Sequence, residues 1–93
     1  MKYLIEVTNA FKKDYKKIIK RGYKTIKLET VINMLAEDIE LPEKYRDHQL
    51  KGELSEYREC HVEPDWLLVY RKIENKLILL LVATGTHSDL FDL

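Results

Sequence analysis

The sequence predicts an α+β fold, with an N-terminal strand and two helices packed on one face of an antiparallel sheet. Three observations predict it. Residues 2–7 place Tyr3, Ile5 and Val7 on one face of a strand, residues 9–40 carry apolar residues at helical spacing, and the second half contains strand-like segments. With 93 residues, 45% of them apolar and 34% charged, the chain is expected to form a single domain over positions 1–93.

The first helix is expected to follow the strand directly. Thr8 or Asn9 suits its N-cap, because a side-chain oxygen there accepts an unpaired backbone N–H, and Gly22 suits its end. Lysines occupy the face opposite its apolar residues, which are Phe11, Tyr15, Ile18 and Ile19. A second helix is predicted over residues 25–40, ended by Leu41-Pro42. Its apolar stripe consists of Leu28, Val31, Leu35 and Ile39.

The second half is expected to form strands at residues 57–62, 66–73 and 76–84, with a hairpin turn at Glu74-Asn75. Residues 77–82 are apolar at every position. This pattern is typical of a strand covered on both faces, so we expect the last strand to lie centrally in the sheet.

Charge is distributed unevenly, although the net charge is zero. The first 28 residues hold nine Lys/Arg and two acidic residues, a net charge of +7, and the remainder carries −7. A dense basic segment suits docking on a polyanion, because neutralised phosphates release counterions. The alternative is a solvated helix face without a partner.

Other classes of protein are disfavoured. No apolar run reaches the roughly 18 residues that span a bilayer, and the N-terminal residues do not form a secretory signal. The single cysteine, Cys60, cannot form an internal disulfide and is interpreted as a buried small hydrophobe. We therefore expect a cytoplasmic protein without membrane contact.

The second half also contains all three histidines, His48, His61 and His87. Metal-free RNA cleavage needs a base for the ribose 2′-OH and an acid for the leaving 5′-oxygen, and histidine serves both near neutral pH. Strand alternation predicts that His61 points to the open sheet face, and Asp65 is a candidate to hold one imidazole in its tautomer. Each histidine has a purely structural alternative. Zinc chemistry is disfavoured, because paired-cysteine spacing and an HExxH helix are absent.

Residues 47–52, 57–70 and 84–91 closely resemble the YafQ branch of the RelE superfamily, which are ribosome-dependent mRNA interferases of type II toxin–antitoxin systems. The most specific run is His61-Val62-Glu63-Pro64-Asp65-Trp66, followed by Thr84-Gly85-Thr86-His87. The resemblance implies a microbial-ribonuclease-like domain that binds the ribosomal A site. It also implies cleavage of mRNA by 2′-OH attack without a metal or cofactor, and silencing by a cognate antitoxin.

The resemblance also implies site residues. The proton-handling groups would be His48, His61, Asp65 and His87, and the substrate contacts would be Trp66 and Phe91. Apart from the resemblance, Arg58 and Lys51 are candidate substrate contacts as cations. Trp66 is the candidate for stacking on an extruded base, although core packing is the alternative. The basic helix would contact ribosomal RNA through Lys12, Lys13, Lys16, Lys17, Lys20 and Arg21.

One position departs from the family pattern. Ala83 stands where the family usually carries an arginine thought to stabilise charge on the scissile phosphate. Either the chain is attenuated, which we favour, or another cation serves, with Arg58, Arg71 and Lys51 as candidates. Because of Ala83, the first alternative is a non-catalytic protein that binds the antitoxin and the ribosome. A ribosome-independent nuclease is the second, and a small-molecule enzyme is the weakest.

Overall fold

The computed structural model describes residues 2–91 and contains one five-stranded sheet with the strand order β1-β5-β4-β3-β2. The strands are β1 (Leu4–Val7), β2 (His48–Gln49), β3 (Arg58–Glu63), β4 (Trp66–Ile73) and β5 (Ile78–Gly85). The helices are α1 (Asn9–Lys20), α2 (Thr25–Ala36) and α3 (His87–Phe91). A single 3-10 turn, Glu74–Lys76, joins β4 to β5, as the predicted hairpin requires.

The sheet is mixed, which corrects the prediction of a wholly antiparallel one. β1 pairs with β5 in parallel, in a register that sets Leu4 opposite Ile78, whereas all other pairs are antiparallel. A parallel neighbour requires a long crossover connection, and here most of the chain lies between the two strands.

Helix α1 begins and ends where the sequence predicts. The Thr8 hydroxyl oxygen accepts the backbone N–H of Phe11 at 3.0 Å, which makes Thr8 the N-cap. Gly22 adopts a left-handed φ of 78°, and the backbone N–H of Tyr23 donates to the carbonyl of Ile18. This arrangement is a Schellman end, for which glycine is the preferred residue. Ile19, which was expected on the buried face, is 53% exposed.

Helix α2 is shorter than predicted and ends at Ala36 rather than at residue 40. Asp38 takes a left-handed φ of 59°, and the backbone N–H of Ile39 donates to the carbonyl of Met34 at 2.9 Å. Salt bridges from Lys2 and Lys72, each at 2.8 Å, hold the Asp38 carboxylate. Ile39 is therefore outside the helix and half exposed, so its assignment to the apolar stripe was wrong.

The core lies between the two long helices and one sheet face. Its buried residues include Phe11, Ile18, Leu28, Val31 and Leu35 from the helices, and Cys60, Val62, Leu68, Tyr70, Leu79 and Leu81 from the strands. Cys60 is fully buried there, and burial raises the pKa of its thiol. No helix within residues 2–91 is long and apolar enough to cross a bilayer.

The central strand is β4 and not β5, which corrects a second prediction. Five consecutive residues of β4, from Trp66 to Tyr70, are buried, so it is this strand that is covered on both faces. In β5 the residues Leu79 and Leu81 are buried, whereas Ile78, Leu80 and Val82 are only partly so. An apolar run alone could not distinguish the central strand from its neighbour.

Candidate active site

The sheet face opposite the helices carries two rows of cross-strand partners. In the first row Glu59 pairs with Val69, Val69 pairs with Ala83, and His48 joins from β2 beside Glu59. In the second row His61 pairs with Leu67, and Leu67 pairs with Gly85. Directly opposed residues project to the same side of a sheet, so both rows form the floor of one open surface.

Glu59 lies between two of the histidines. Its carboxylate oxygen Oε1 is 3.7 Å from Nε2 of His48 and 3.6 Å from Nε2 of His61. The residue is only 6% exposed, while the His48 side chain is 49% exposed and that of His61 is 13% exposed. A nearly buried carboxylate therefore lies within ion-pair distance of Nε2 of both rings.

Backbone carbonyl groups set the tautomer of these two rings. Nδ1 of His48 lies 2.7 Å from the carbonyl oxygen of Arg46, and Nδ1 of His61 lies 3.1 Å from that of Pro64. A carbonyl oxygen can only accept, so each Nδ1 must carry the hydrogen. Each neutral ring therefore presents the lone pair of Nε2 to the surface that holds Glu59.

His87 is oriented differently, by the carboxylate of Asp65. Its Nδ1–H donates to Oδ1 of Asp65 at 2.5 Å, and the His87 backbone N–H donates to the same oxygen at 2.9 Å. These two hydrogen bonds, the backbone one first, lower the pKa of Asp65. The ring centroids of His61 and His87 are 5.6 Å apart, so all three histidines meet on one surface.

Trp66 does not lie on that surface, which corrects its assignment as a substrate contact. The side chain is 1% exposed and its Nε1–H donates to the hydroxyl of Thr84 at 3.0 Å. Tyr23 packs edge-on against the indole at 5.0 Å between centroids. A ring enclosed in this way contributes to the core and cannot stack on an extruded base.

Arg58 also faces away from the histidines. Its cross-strand partner is Tyr70, a core residue on the helix side of the sheet. The guanidinium donates to Asp47 at 3.3 Å and to the hydroxyl of Tyr70 at 3.2 Å, and Tyr70 in turn donates to Asp47 at 2.5 Å. These contacts hold Asp47, the residue before His48, in place. Arg58 therefore supports the loop that carries His48 and does not line the open face.

The remaining predicted contacts are accessible. Lys51 is exposed, and Phe91 in α3 is 37% exposed. On the open face, Arg71 in β4 pairs with Leu80 in β5. Val69, the cross-strand partner of Ala83, lies two residues before Arg71 on β4. The Arg71 guanidinium lies 3.9 Å from the carboxylate of Glu56, whose side chain is 62% exposed. Of the three candidate cations, Arg71 is thus the one whose sheet register sets it beside Ala83.

A cationic cleft borders the histidine surface at His61. It lies between α2 and the residues around Tyr45, and its basic lining residues are Lys27, Lys44 and Arg46. Lys27 forms a salt bridge with Glu63 at 3.1 Å. Along α1, a second basic surface exposes five lysines: Lys12, Lys13, Lys16, Lys17 and Lys20.

Within residues 2–91, none of those five lysines forms a salt bridge, but Arg21 does. Its guanidinium contacts the Asp89 carboxylate at 2.5 Å and 2.9 Å. Arg21, which the sequence predicts as a ribosome contact, is therefore already paired with Asp89 within the protein.

The profile of the family described as the bacterial toxin of type II toxin–antitoxin systems, YafQ, matches residues 3–92. The mRNA interferase toxin YafQ of Escherichia coli K12 is 42% identical over 88 residues, covering 94% of each chain. This chain belongs to the YafQ family of type II toxins.

Solved structures of toxins have the same fold. The toxin in the E. coli DinJ–YafQ toxin–antitoxin complex superposes with a TM-score of 0.88 at 38% identity, over 96% of this chain and 98% of that one. A metal-bound toxin from Helicobacter pylori gives a TM-score of 0.90 at 44% identity, over 96% and 99%. The predictions of a YafQ-type toxin, a RelE-like fold and an enzyme of the endoribonuclease class are confirmed.

The comparison with the metal-bound relative raises the question of a metal in this chain. Within residues 2–91, no group of three or more His, Cys, Asp and Glu side chains has the arrangement needed to hold a metal ion.

Sequence reasoning missed Glu59. A signal was present, because Glu59 lies two residues before His61 on the same strand, and alternation sets both on one face. Glutamate is seldom buried in proteins, so its residue type alone favours an exposed position for Glu59.

Proposed function

We propose that this toxin cleaves mRNA on the ribosome by attack of the ribose 2′-OH on the adjacent phosphate. The observation that carries the proposal is the meeting of His48, His61 and His87 on one open face, with Glu59 and Asp65 as their carboxylate partners. This set provides the base and the acid that such a cleavage requires.

The orientation of the rings supports a division of roles. Nε2 of His48 or His61 removes the 2′-OH proton as the 2′-oxygen attacks phosphorus, because Nε2 is the lone-pair nitrogen of both neutral rings. Protonated His87 donates its Nε2 proton to the departing 5′-oxygen. The products are a 2′,3′-cyclic phosphate and a 5′-hydroxyl, so protons and charge balance.

The carboxylates have matching roles in this scheme. Glu59 stabilises the imidazolium formed when either neighbouring ring accepts the proton, and Asp65 holds the protonated ring of His87. Glu59 is thus a positioning and electrostatic residue, because the rings rather than its carboxylate receive the substrate proton.

The docking surface for the ribosome is proposed to be the lysine face of α1. Five exposed lysines without salt bridges in residues 2–91 can neutralise rRNA phosphates, and the resulting affinity falls with salt. We place this activity in the cytoplasm, at the A site. A cognate antitoxin is the proposed silencing partner, in keeping with the E. coli relative that forms a complex with DinJ.

Ala83 is proposed to attenuate cleavage. It occupies the floor of the open face in the row of Glu59, so the transition state lacks a cation at this strand position. Losing one charge-stabilising donor costs on the order of 10²–10³ in rate. The same residue favours a second candidate function, a toxin-family protein that binds antitoxin and ribosome without cleaving.

The decisive experiment is cleavage of a defined mRNA on purified ribosomes by the chain and its Ala83→Arg variant, with free RNA as control. Cleavage by the arginine variant alone, and only on ribosomes, supports an attenuated toxin. If both proteins cut, another cation acts, with Arg71 as the first to remove. If neither cuts, the non-catalytic binding function replaces the proposal. Cleavage of free RNA would indicate a ribosome-independent nuclease.

A further inference from the structure

Arg21 and Asp89 join the end of the basic helix to the short helix that begins with His87. Nη1 of Arg21 contacts Oδ2 of Asp89 at 2.5 Å, and Nη2 contacts Oδ1 at 2.9 Å. This paired geometry fixes direction as well as distance, because the planar guanidinium matches both carboxylate oxygens.

The Asp89 carboxylate also organises the turn that leads into α3. Its Oδ2 accepts the backbone N–H of Thr86 at 2.9 Å, while the hydroxyl of Thr86 accepts the backbone N–H of Asp89 at 3.1 Å. A β-carbon added to Gly85 would lie 2.8 Å from Oδ2, so the backbone approaches this carboxylate closely. His87 is the next residue after Thr86 and moves with this turn.

Helix α3 needs such a tie, because five residues form barely more than one helical turn. Isolated helices of this length are unstable, and their position depends on tertiary contacts. Asp65 anchors the His87 end, and Arg21 anchors the following turn. The hydrogen bonds from Arg21 and Thr86 also lower the pKa of Asp89, which therefore remains ionised throughout the physiological range.

Helix α1 is in turn attached to β5 along its length. The Thr8 hydroxyl donates to the carbonyl of Val82 at 2.7 Å, and the Asp14 carboxylate accepts the backbone N–H of Thr84 at 3.1 Å. Arg21 is the third contact in this series and the one that reaches α3. The lysine face and His87 are therefore connected through direct contacts of α1 with β5 and α3.

We propose that Arg21 is a positioning residue that, through Asp89, sets the place of His87 relative to the lysine face of α1. The inference rests on the proposed function, since the lysine face is the surface that would dock on rRNA. In that setting the Arg21–Asp89 pair fixes the distance between the docked helix and the residue that protonates the leaving oxygen. This positioning role differs from the ribosome contact that the sequence predicts for Arg21.

The test compares Arg21→Asp, Asp89→Arg and the double charge swap, with Lys76→Asp as a matched surface charge reversal. Three quantities are measured: ribosome affinity, the single-turnover cleavage rate on ribosomes, and the NMR cross-relaxation between the rings of His61 and His87. Each single variant should lose the ring contact and cleave about 100-fold more slowly, as expected for a displacement near 1 Å. The swap restores the ion pair but not the hydrogen bond that Asp89 accepts from Thr86, so it should recover the contact and the rate only in part. Lys76→Asp should change neither.

Two outcomes would overturn the proposal. One is an unchanged His61–His87 contact in both single variants. The other is a loss of ribosome affinity in Arg21→Asp that the swap does not recover, which would make Arg21 an rRNA contact. The ring contact is measured without ribosomes, so it decides the positioning role even if the chain fails to cleave. A failure to cleave by the unmodified chain and by Ala83→Arg would instead remove the proposed function.

Discussion

Asp65 and His87 form a carboxylate–imidazole pair in which one oxygen, Oδ1, accepts both the ring Nδ1–H and the backbone N–H of the histidine. The double contact fixes the position of the ring as well as its tautomer. Neither group is deeply buried, since the side chain of Asp65 is 66% exposed and that of His87 is 41% exposed. The pair is therefore accessible to a bound RNA strand.

Replacing Asp65 by asparagine should lower the single-turnover cleavage rate by about 100-fold or more, because the amide neither carries the charge nor fixes the tautomer. Ribosome affinity should be unchanged, which single-turnover kinetics over a range of ribosome concentrations will separate from the rate. Glu63→Gln, at an exposed carboxylate that pairs with Lys27, is the matched control. An equal rate in both variants would contradict the role of Asp65.

Glu59→Gln should reduce cleavage by about tenfold to 100-fold while the protein remains folded, since glutamine keeps the shape but removes the charge between His48 and His61. Glu59→Asp keeps the charge and should be less impaired than Glu59→Gln. The rates are compared on ribosomes, with thermal melting as the check on folding. If glutamine and aspartate were equally impaired, charge would not be the property that matters.

Trp66→Phe should destabilise the fold by about 1–3 kcal/mol, because it removes the hydrogen bond to Thr84 and leaves space in the core. Denaturant unfolding will measure this change. The substrate concentration for half-maximal cleavage should be unaffected at a temperature where the variant is folded. A selective rise in that concentration, without loss of stability, would restore Trp66 as a base-stacking residue.

Stability should depend on Asp38 in acid. Hydrogen bonds from Lys2 and then Lys72 lower the pKa of Asp38 from 3.8 to about 2. Its folded pKa lies below the unfolded value, so its contribution is complete above about pH 4 and disappears as the pH falls through 2. Asp38→Asn should therefore lower the melting temperature at pH 6 and make little difference near pH 2. An equal difference at both pH values would contradict this assignment.

The elements that the sequence predicted well are those whose ends have local signals. Thr8 and Gly22 bound α1 through their own backbone and side-chain chemistry. The end of α2 lacked such a signal, because a left-handed Asp38 depends on two lysines that are distant in sequence. The parallel pairing of β1 with β5 likewise depends on the whole connection between them.

The candidate site shows the same difference between features with local signals and features that depend on tertiary contacts. The convergence of His48, His61 and His87 was anticipated, and so was the pairing of a histidine with Asp65. Trp66 and Arg58 could not be placed from spacing, because a resemblance carries residue identities but not the sheet face on which they lie. Arg21 was grouped with its neighbouring lysines by charge, and only the tertiary structure reveals Asp89 as its partner.

The parallel contact between β1 and β5 has a consequence for biosynthesis. Thr8 bonds to Val82, 74 residues further along the chain, so the sheet stays incomplete until β5 has been made. Contacts between such distant residues form late in folding. His87 follows β5 in the chain, so translation delivers the last histidine only after the strand that positions it. The surface that holds the three histidines therefore cannot form until β5 has been made and has paired with β1.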